Sequence, residues 1–94
     1  MEITFDPVKN ARNIESRGLS FGRARDFEFE TALFTPDLRR DYGEARIRAL
    51  GWLDKRMHAL VFVETQLGIR VVSFRKANKR EVKIYETQTQ SRVD

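Results

Sequence analysis

Leu60-Val61-Phe62-Val63 is apolar at four consecutive positions inside the strand-like run Met57 to Thr65. A strand sends alternate side chains to opposite faces, so such a run belongs where both faces of a sheet are covered. Its flanks fix its neighbours. Upstream, Ala45, Ile47, Ala49, Gly51 and Leu53 alternate with Arg46, Arg48, Leu50 and Trp52, and Asp54-Lys55-Arg56 supplies a reversal of hairpin length. Downstream, Gln66-Leu67-Gly68 turns the chain into a third strand, Ile69 to Ala77. The spacing predicts a three-strand meander from Glu44 to Ala77 with residues 57–65 at its centre.

The remaining segments read as helices and short strands. Ile3 and Phe5 alternate with polar neighbours in a strand that stops at Asp6. Asp6 can accept from the free N–H groups of a first helical turn, and Pro7 has no N–H to lose there. That helix is expected to run to about Ser16, with Gly18 as its left-handed cap and Val8, Ala11 and Ile14 as a thin apolar stripe. Ser20 caps a second, short helix carrying Phe21, Ala24 and Phe27, and a strand is expected near residues 31–34 before a polar loop, 36–43. Asn78 with Glu81 three residues on forms a capping box for a last helix, whose Val82 and Tyr85 face the sheet. After Glu86 periodicity ends, so residues 87–94 read as a mobile tail on a single domain spanning 1–86. The expected class is α+β, with two N-terminal helices and a C-terminal helix against one face of a mostly antiparallel sheet.

Charge and composition narrow the function. There is no cysteine and a single histidine, His58, so neither a disulfide framework nor a thiolate or multi-histidine metal site is expected, and no cofactor. No secretory leader or membrane-length apolar run is seen, which reads as a cytoplasmic protein with no membrane partner. The net charge is +4, unevenly spread: residues 1–47 carry 8 Lys/Arg against 9 Asp/Glu, residues 48–94 carry 10 against 5. That asymmetry suits a polyanionic partner, nucleic acid or an acidic protein, the alternative being a solvated charged face.

In order and spacing, several motifs resemble the BrnT family of type II toxin–antitoxin ribonucleases, small proteins with a RelE-like fold. They are Phe5-Asp6-Pro7-Val8-Lys9, Asn13, Gly18-Leu19-Ser20-Phe21, Ala24, Asp41-Tyr42-Gly43-Glu44-Ala45-Arg46, Gly51, and then Arg70, Ser73, Arg75, Ala77, Arg80, Glu81 and Tyr85. The resemblance covers about residues 3 to 86. One departure is Ser16-Arg17-Gly18, where family members usually carry Lys-His-Gly. The resemblance implies an RNA endonuclease that inhibits growth, neutralised in a hetero-oligomer by a BrnA-like antitoxin. That antitoxin would carry a ribbon-helix-helix domain, through which the complex binds operator DNA and represses its own operon.

RNA can be cut without a metal when fixed cations stabilise the negatively charged phosphorane, and arginine's planar fork holds two phosphate oxygens at once. Arg46, Arg70 and Arg75 are the first candidates, because strands hold them. Ser73, two residues from Arg75, shares its face and reads as a hydrogen-bonding partner of phosphate or Glu81 rather than a nucleophile. Glu81 is open between capping, proton transfer and orientation of an arginine; Tyr85 is open between core and site. His58 has the intrinsic pKa for acid–base work but is no landmark of the family, and it reads first as a partly exposed strand residue. Arg48 and Trp52 share a face with Arg46, and Trp52 can stack a base or pack in the core. Plain alternation places Phe74 with Arg70 and Val72. Arg17, Lys76, Lys79, Arg80 and Lys83 complete the expected RNA-binding set, the lysines serving equally as a landing site for an acidic antitoxin segment.

Overall fold

In the computed structural model, which describes residues 1–90, five strands form one sheet. They are β1 (Glu2–Phe5), β2 (Leu33–Pro36), β3 (Ile47–Leu53), β4 (Arg56–Glu64) and β5 (Gly68–Lys76), in the order β1-β5-β4-β3-β2. β1 runs parallel to β5 and every other pairing is antiparallel. β4 is central and its Ala59, Leu60, Val61 and Phe62 are all buried, as an apolar run on both faces requires. Asp54 (φ 49°) and Lys55 (φ 63°) both adopt the left-handed conformation of a two-residue hairpin turn, which sets the β3–β4 register.

Both sheet faces need cover, and different elements supply it. On one face Phe21, Ala24 and Phe27 pack against Ala49, Leu53, Leu60, Phe62, Val71 and Phe74. On the other, helix α2 (Lys79–Gln90) lays Val82 and Tyr85 on Leu50, Met57 and Ala59. The expectation that all helices share one face is therefore corrected: alternation leaves Leu50, Met57 and Ala59 facing away from the first cluster, and they too must be buried.

Helix α1 (Pro7–Arg17) begins and ends where the sequence places it, with Asp6 Oδ1 accepting from the Val8 N–H at 2.9 Å and Gly18 at φ 65°. Its docking is different. Val8 and Ile14 are exposed, and the one buried residue of α1 is Asn13. Its Nδ2 donates to the Leu19 and Phe74 carbonyls at 2.9 Å each, while Asn10 Oδ1 accepts from the Phe21 N–H at 2.7 Å. β1 pairs with β5 only as far as Val71, so Asn13 satisfies a carbonyl on the free edge beyond it.

Four elements differ from expectation. The second N-terminal helix is a 3-10 segment, Phe21–Asp26: its apolar residues recur every third position, the period at which a 3-10 turn keeps them in one line. A further 3-10 turn, Phe29–Thr31, moves the next strand from 31–34 to Leu33–Pro36, where Pro36 is tolerated because β2 is an edge. β3 starts at Ile47 rather than Glu44, since the Asp37 N–H bonds the Arg46 carbonyl and closes residues 37–46 into a loop. α2 runs to Gln90 where periodicity places its end at Glu86; of the tail expected at 87–94, residues 91–94 lie outside the described residues. Among the described residues no helix is long and apolar enough to cross a membrane.

One irregularity in β5 redistributes its side chains. Val61 stands opposite Ser73 but Phe62 stands opposite Val71, so Val72 is an extra residue, a β-bulge. Ile69 and Val71 before it and Phe74 after it all face the first core cluster. Arg70, Ser73 and Arg75 consequently share the opposite face, and the alternation that grouped Phe74 with Arg70 is overturned.

Asn13→Leu leaves two buried carbonyls without a donor and is expected to destabilise the fold by about 1–3 kcal/mol. Val8→Ala and Ile14→Ala, on the exposed side of the same helix, are expected to stay within about 0.5 kcal/mol. Urea unfolding of the three variants checks the contrast.

Candidate functional site

The face that carries Arg70, Ser73 and Arg75 also receives Arg48 from β3 and Arg46 from the residue before it. Two carboxylates organise these cations. Glu81, in the first turn of α2, accepts from Arg75 Nη1 at 2.7 Å and Nη2 at 2.9 Å, and from Arg48 Nη2 at 3.2 Å. It also accepts the Asn78 N–H at 3.0 Å, while Asn78 Oδ1 accepts the Glu81 N–H at 2.9 Å. Capping and arginine orientation are thus performed by one carboxylate, which is 5% exposed. The Arg75 guanidinium, working against burial and helped by the Asn78 N–H, holds that carboxyl down at about 2.

Glu44 bridges the second pair, accepting from Arg46 Nε at 2.9 Å and from Arg70 Nη2 at 2.5 Å. Arg46 first, then Arg70, lowers its pKa against desolvation. Arg46 also lies over the Tyr42 ring, 4.1 Å from its centroid, a cation–π contact that fixes the guanidinium's plane. Within the same loop Asp37, whose side chain is 1% exposed, accepts both Arg39 Nε and Nη2 at 2.8 Å. Arg39 keeps the Asp37 carboxyl well below the usual carboxylate range.

Ser73 opens into a cleft of about 410 Å³ lined also by Lys9, Arg12 and Arg17 of α1 and by Arg39 and Arg46. Five cations and no carboxylate line this cleft, beside the hydroxyls of Ser16 and Ser73. Arg17 is positioned by its Nη1 donating to Asn13 Oδ1 at 2.8 Å. Lys9, Arg12 and Arg39 were absent from the sequence-based set: α1 reads there as an apolar stripe, whereas its cationic side faces the cleft.

The remaining expected residues separate into two groups. Tyr85 is buried, donates its hydroxyl to the Thr31 carbonyl at 2.8 Å, and meets Trp52 edge-on at 6.0 Å between centroids. Trp52 is 36% exposed on the arginine-bearing face, so one of its sides packs and the other is open. Lys79, Arg80 and Lys83 are brought together elsewhere, along a shallow groove on the outward side of α2 with Ile84 and Thr87. Lys76, at the end of β5, lines a different cleft together with Arg75 and His58. Phe74 is fully buried against Phe27, 6.0 Å between centroids, which removes it from base stacking. Among the described residues no three His, Cys, Asp or Glu side chains are grouped as metal ligands.

By fold and charge this is a small α+β domain with an arginine-lined sheet face, an arrangement suited to anionic ligands. The chain belongs to the BrnT family, the ribonuclease toxins of type II toxin–antitoxin systems, whose family model matches residues 5–81. An antitoxin partner and an RNA target follow from that membership. No curated protein matches the chain.

Glu81 sets a pH dependence whose sign follows from its depressed pKa. The folded carboxyl titrates near 2 against an ordinary 4.5, so its contribution to stability is complete above pH 4.5 and is lost as pH falls toward 2. Circular-dichroism melts are expected to show Tm falling across that window in the unaltered protein. Glu81→Gln should lower Tm at pH 7 and flatten the fall; an unchanged acid limb would assign that limb to other carboxylates.

Proposed function

We propose that the protein is an RNA endonuclease that cleaves phosphodiesters by metal-independent chemistry, in a RelE-like fold. The observation that carries the reading is the Val72 bulge, which gathers Arg70, Ser73 and Arg75 on the face that also holds Arg46 and Arg48. In this reading Arg46, Arg70 and Arg75 neutralise the charge that develops on the phosphorane, and Ser73 donates to a phosphate oxygen. Glu81 orients Arg75 and Arg48, and Tyr85 anchors α2 so that Glu81 stays in place. Arg17, Arg48 and Lys76 hold flanking phosphates, and the open side of Trp52 stacks a base.

The same reading assigns a cytoplasmic protein held inactive in a hetero-oligomer with a BrnA-like antitoxin, whose ribbon-helix-helix domain carries the pair to operator DNA. Lys79, Arg80 and Lys83 on the outward side of α2 fit an acidic antitoxin segment or flanking RNA. Purified protein in chelator is expected to cut RNA. Arg70→Ala and Arg75→Ala should each lower the rate by about 10²–10³-fold with the fold intact by circular dichroism. Undiminished cutting by the folded double variant would overturn the site.

A second reading is a binding module without catalysis, in which RNA or operator DNA is held but not cut. The observation favouring it is that both carboxylates of the arginine face are committed to ion pairs and have lowered pKa values, so neither is a ready base. It predicts RNA affinity that falls steeply with salt and leaves the strand intact, the slope reporting the number of phosphates contacted. Turnover by rigorously purified protein excludes it.

A further inference from the structure

The cleft between α1 and β5 carries more positive charge than its surroundings neutralise. Its polar groups arrive from three elements: Lys9, Arg12 and Arg17 from α1, Arg39 and Arg46 from the 37–46 loop, and Ser73 from β5. Asp37 answers the charge of Arg39, and Glu44 that of Arg46. The three cations of α1 are different. Among the described residues none of them is ion-paired, and Arg17 is held instead by the neutral amide of Asn13.

How each guanidinium is held decides which of them can receive an anion. Glu81 accepts from both Nη1 and Nη2 of Arg75, so that fork is committed. Arg39 is gripped along its other edge. Asp37 accepts from Nε and Nη2, each at 2.8 Å, which uses one N–H of Nη2 and leaves the second, with those of Nη1, as a fork directed away from the carboxylate. The Asp37 side chain is 1% exposed and that of Arg39 is 61% exposed, so the anchor is buried and the free edge is at the surface. A weaker contact from the Tyr42 hydroxyl touches both groups. Arg46 is likewise bound to Glu44 through Nε, and its Nη1–Nη2 fork is not part of that bond. The charge of Arg39 is also felt at Arg75, where it opposes the larger effect of Glu81, so the cleft and the arginine face adjoin.

We propose that this cleft binds backbone phosphates of the RNA strand, with Lys9, Arg12 and Arg39 as ligands beside Arg46 and Ser73. The proposal deepens the nuclease reading and rests on its RNA ligand, not on cutting. A carboxylate offers two oxygens in one plane and cannot answer cations set on three sides. A phosphate is tetrahedral, and a strand brings one negative charge with every nucleotide. Arginine, lysine and serine are also the side chains that contact phosphates without reading bases. The cleft therefore positions the strand against the arginine face and carries no sequence preference of its own.

The test is fluorescence anisotropy of the whole chain with a 2′-O-methyl oligonucleotide, which lacks the hydroxyl that attack requires, at salt between about 50 and 200 mM. Lys9→Gln, Arg12→Gln and Arg39→Gln are each expected to weaken binding about three- to tenfold at the low-salt end. Each should also lower the slope of log affinity against log salt by about 0.7, the value for one phosphate contact on a single strand. The losses should be equal for oligonucleotides of different sequence. Arg39→Lys should keep the slope and still lose affinity, because lysine keeps the charge without the fork. Arg25→Gln removes the same charge from an exposed position of the Phe21–Asp26 segment outside the cleft, and should leave affinity and slope nearly unchanged.

Arg39→Gln strips a buried carboxylate of its partner and can unfold the loop. Lys9 and Arg12 are exposed on α1, so their variants keep the test decisive in that case. Losses from Arg25→Gln as large as those from Lys9→Gln and Arg12→Gln overturn the site in favour of diffuse attraction by net charge. Unchanged binding by the folded cleft variants overturns it too and leaves the RNA reading standing; if those variants fail instead to capture the antitoxin, the cleft belongs to that partner. If the unaltered protein binds no oligonucleotide at low salt, the RNA reading falls and the site with it.

Discussion

The extra residue in β5 is the constraint on which the rest of the site depends. A strand of strict period two can present Arg70 or Ser73 with Arg75 on a given face, but not all three. Inserting Val72 shifts the phase once, so that Ile69, Val71 and Phe74 still fill one core while the polar residues converge on the other side. Without the bulge, strict alternation would send Phe74 to the arginine face or Arg70 into the Phe27 cluster. Burying an unpaired guanidinium or exposing Phe74 costs several kcal/mol by general experience, so a bulge between Arg70 and Phe74 is strongly specified.

Once the cations share a face, like-charge repulsion must be relieved before any ligand arrives. Glu81 and Glu44 do this by each bridging two arginines, and the geometry also fixes the guanidinium planes. Fixing them beforehand means that less side-chain freedom is lost when phosphate binds. The same pairing lowers both carboxyl pKa values, so the groups that organise the charge are poor bases.

Much of this was legible in the sequence. The meander, the Asp54-Lys55 reversal, the alternation of β3 and the Asn78–Glu81 capping box all follow from short-range rules, and each has its expected partner. The bulge was not legible, because Arg-Val-Val-Ser-Phe-Arg satisfies either phase and only the pairing with β4 selects one. The 3-10 form of Phe21–Asp26 was hidden for a related reason: a spacing of three fits the face of an α-helix almost as well as it fits a 3-10 turn. The grouping of Lys9, Arg12 and Arg39 around Ser73 has no local signature at all, since it is created by where α1 and the 37–46 loop dock.

The way α1 docks has a mechanical consequence. An eleven-residue helix is marginal by itself, and this one buries a single side chain, so its attachment rests on the amides of Asn10 and Asn13 rather than on apolar area. Hydrogen bonds of this kind each contribute only about 0.5–1.5 kcal/mol net, which places α1 among the elements that open at low cost. It also carries Lys9, Arg12 and Arg17, and Arg17 reaches both clefts. The two arginine-bearing strands hold one half of the basic surface and α1 holds the other. A phosphate bound between them would bridge the halves, and ligand binding and the docking of α1 would then reinforce each other by linkage.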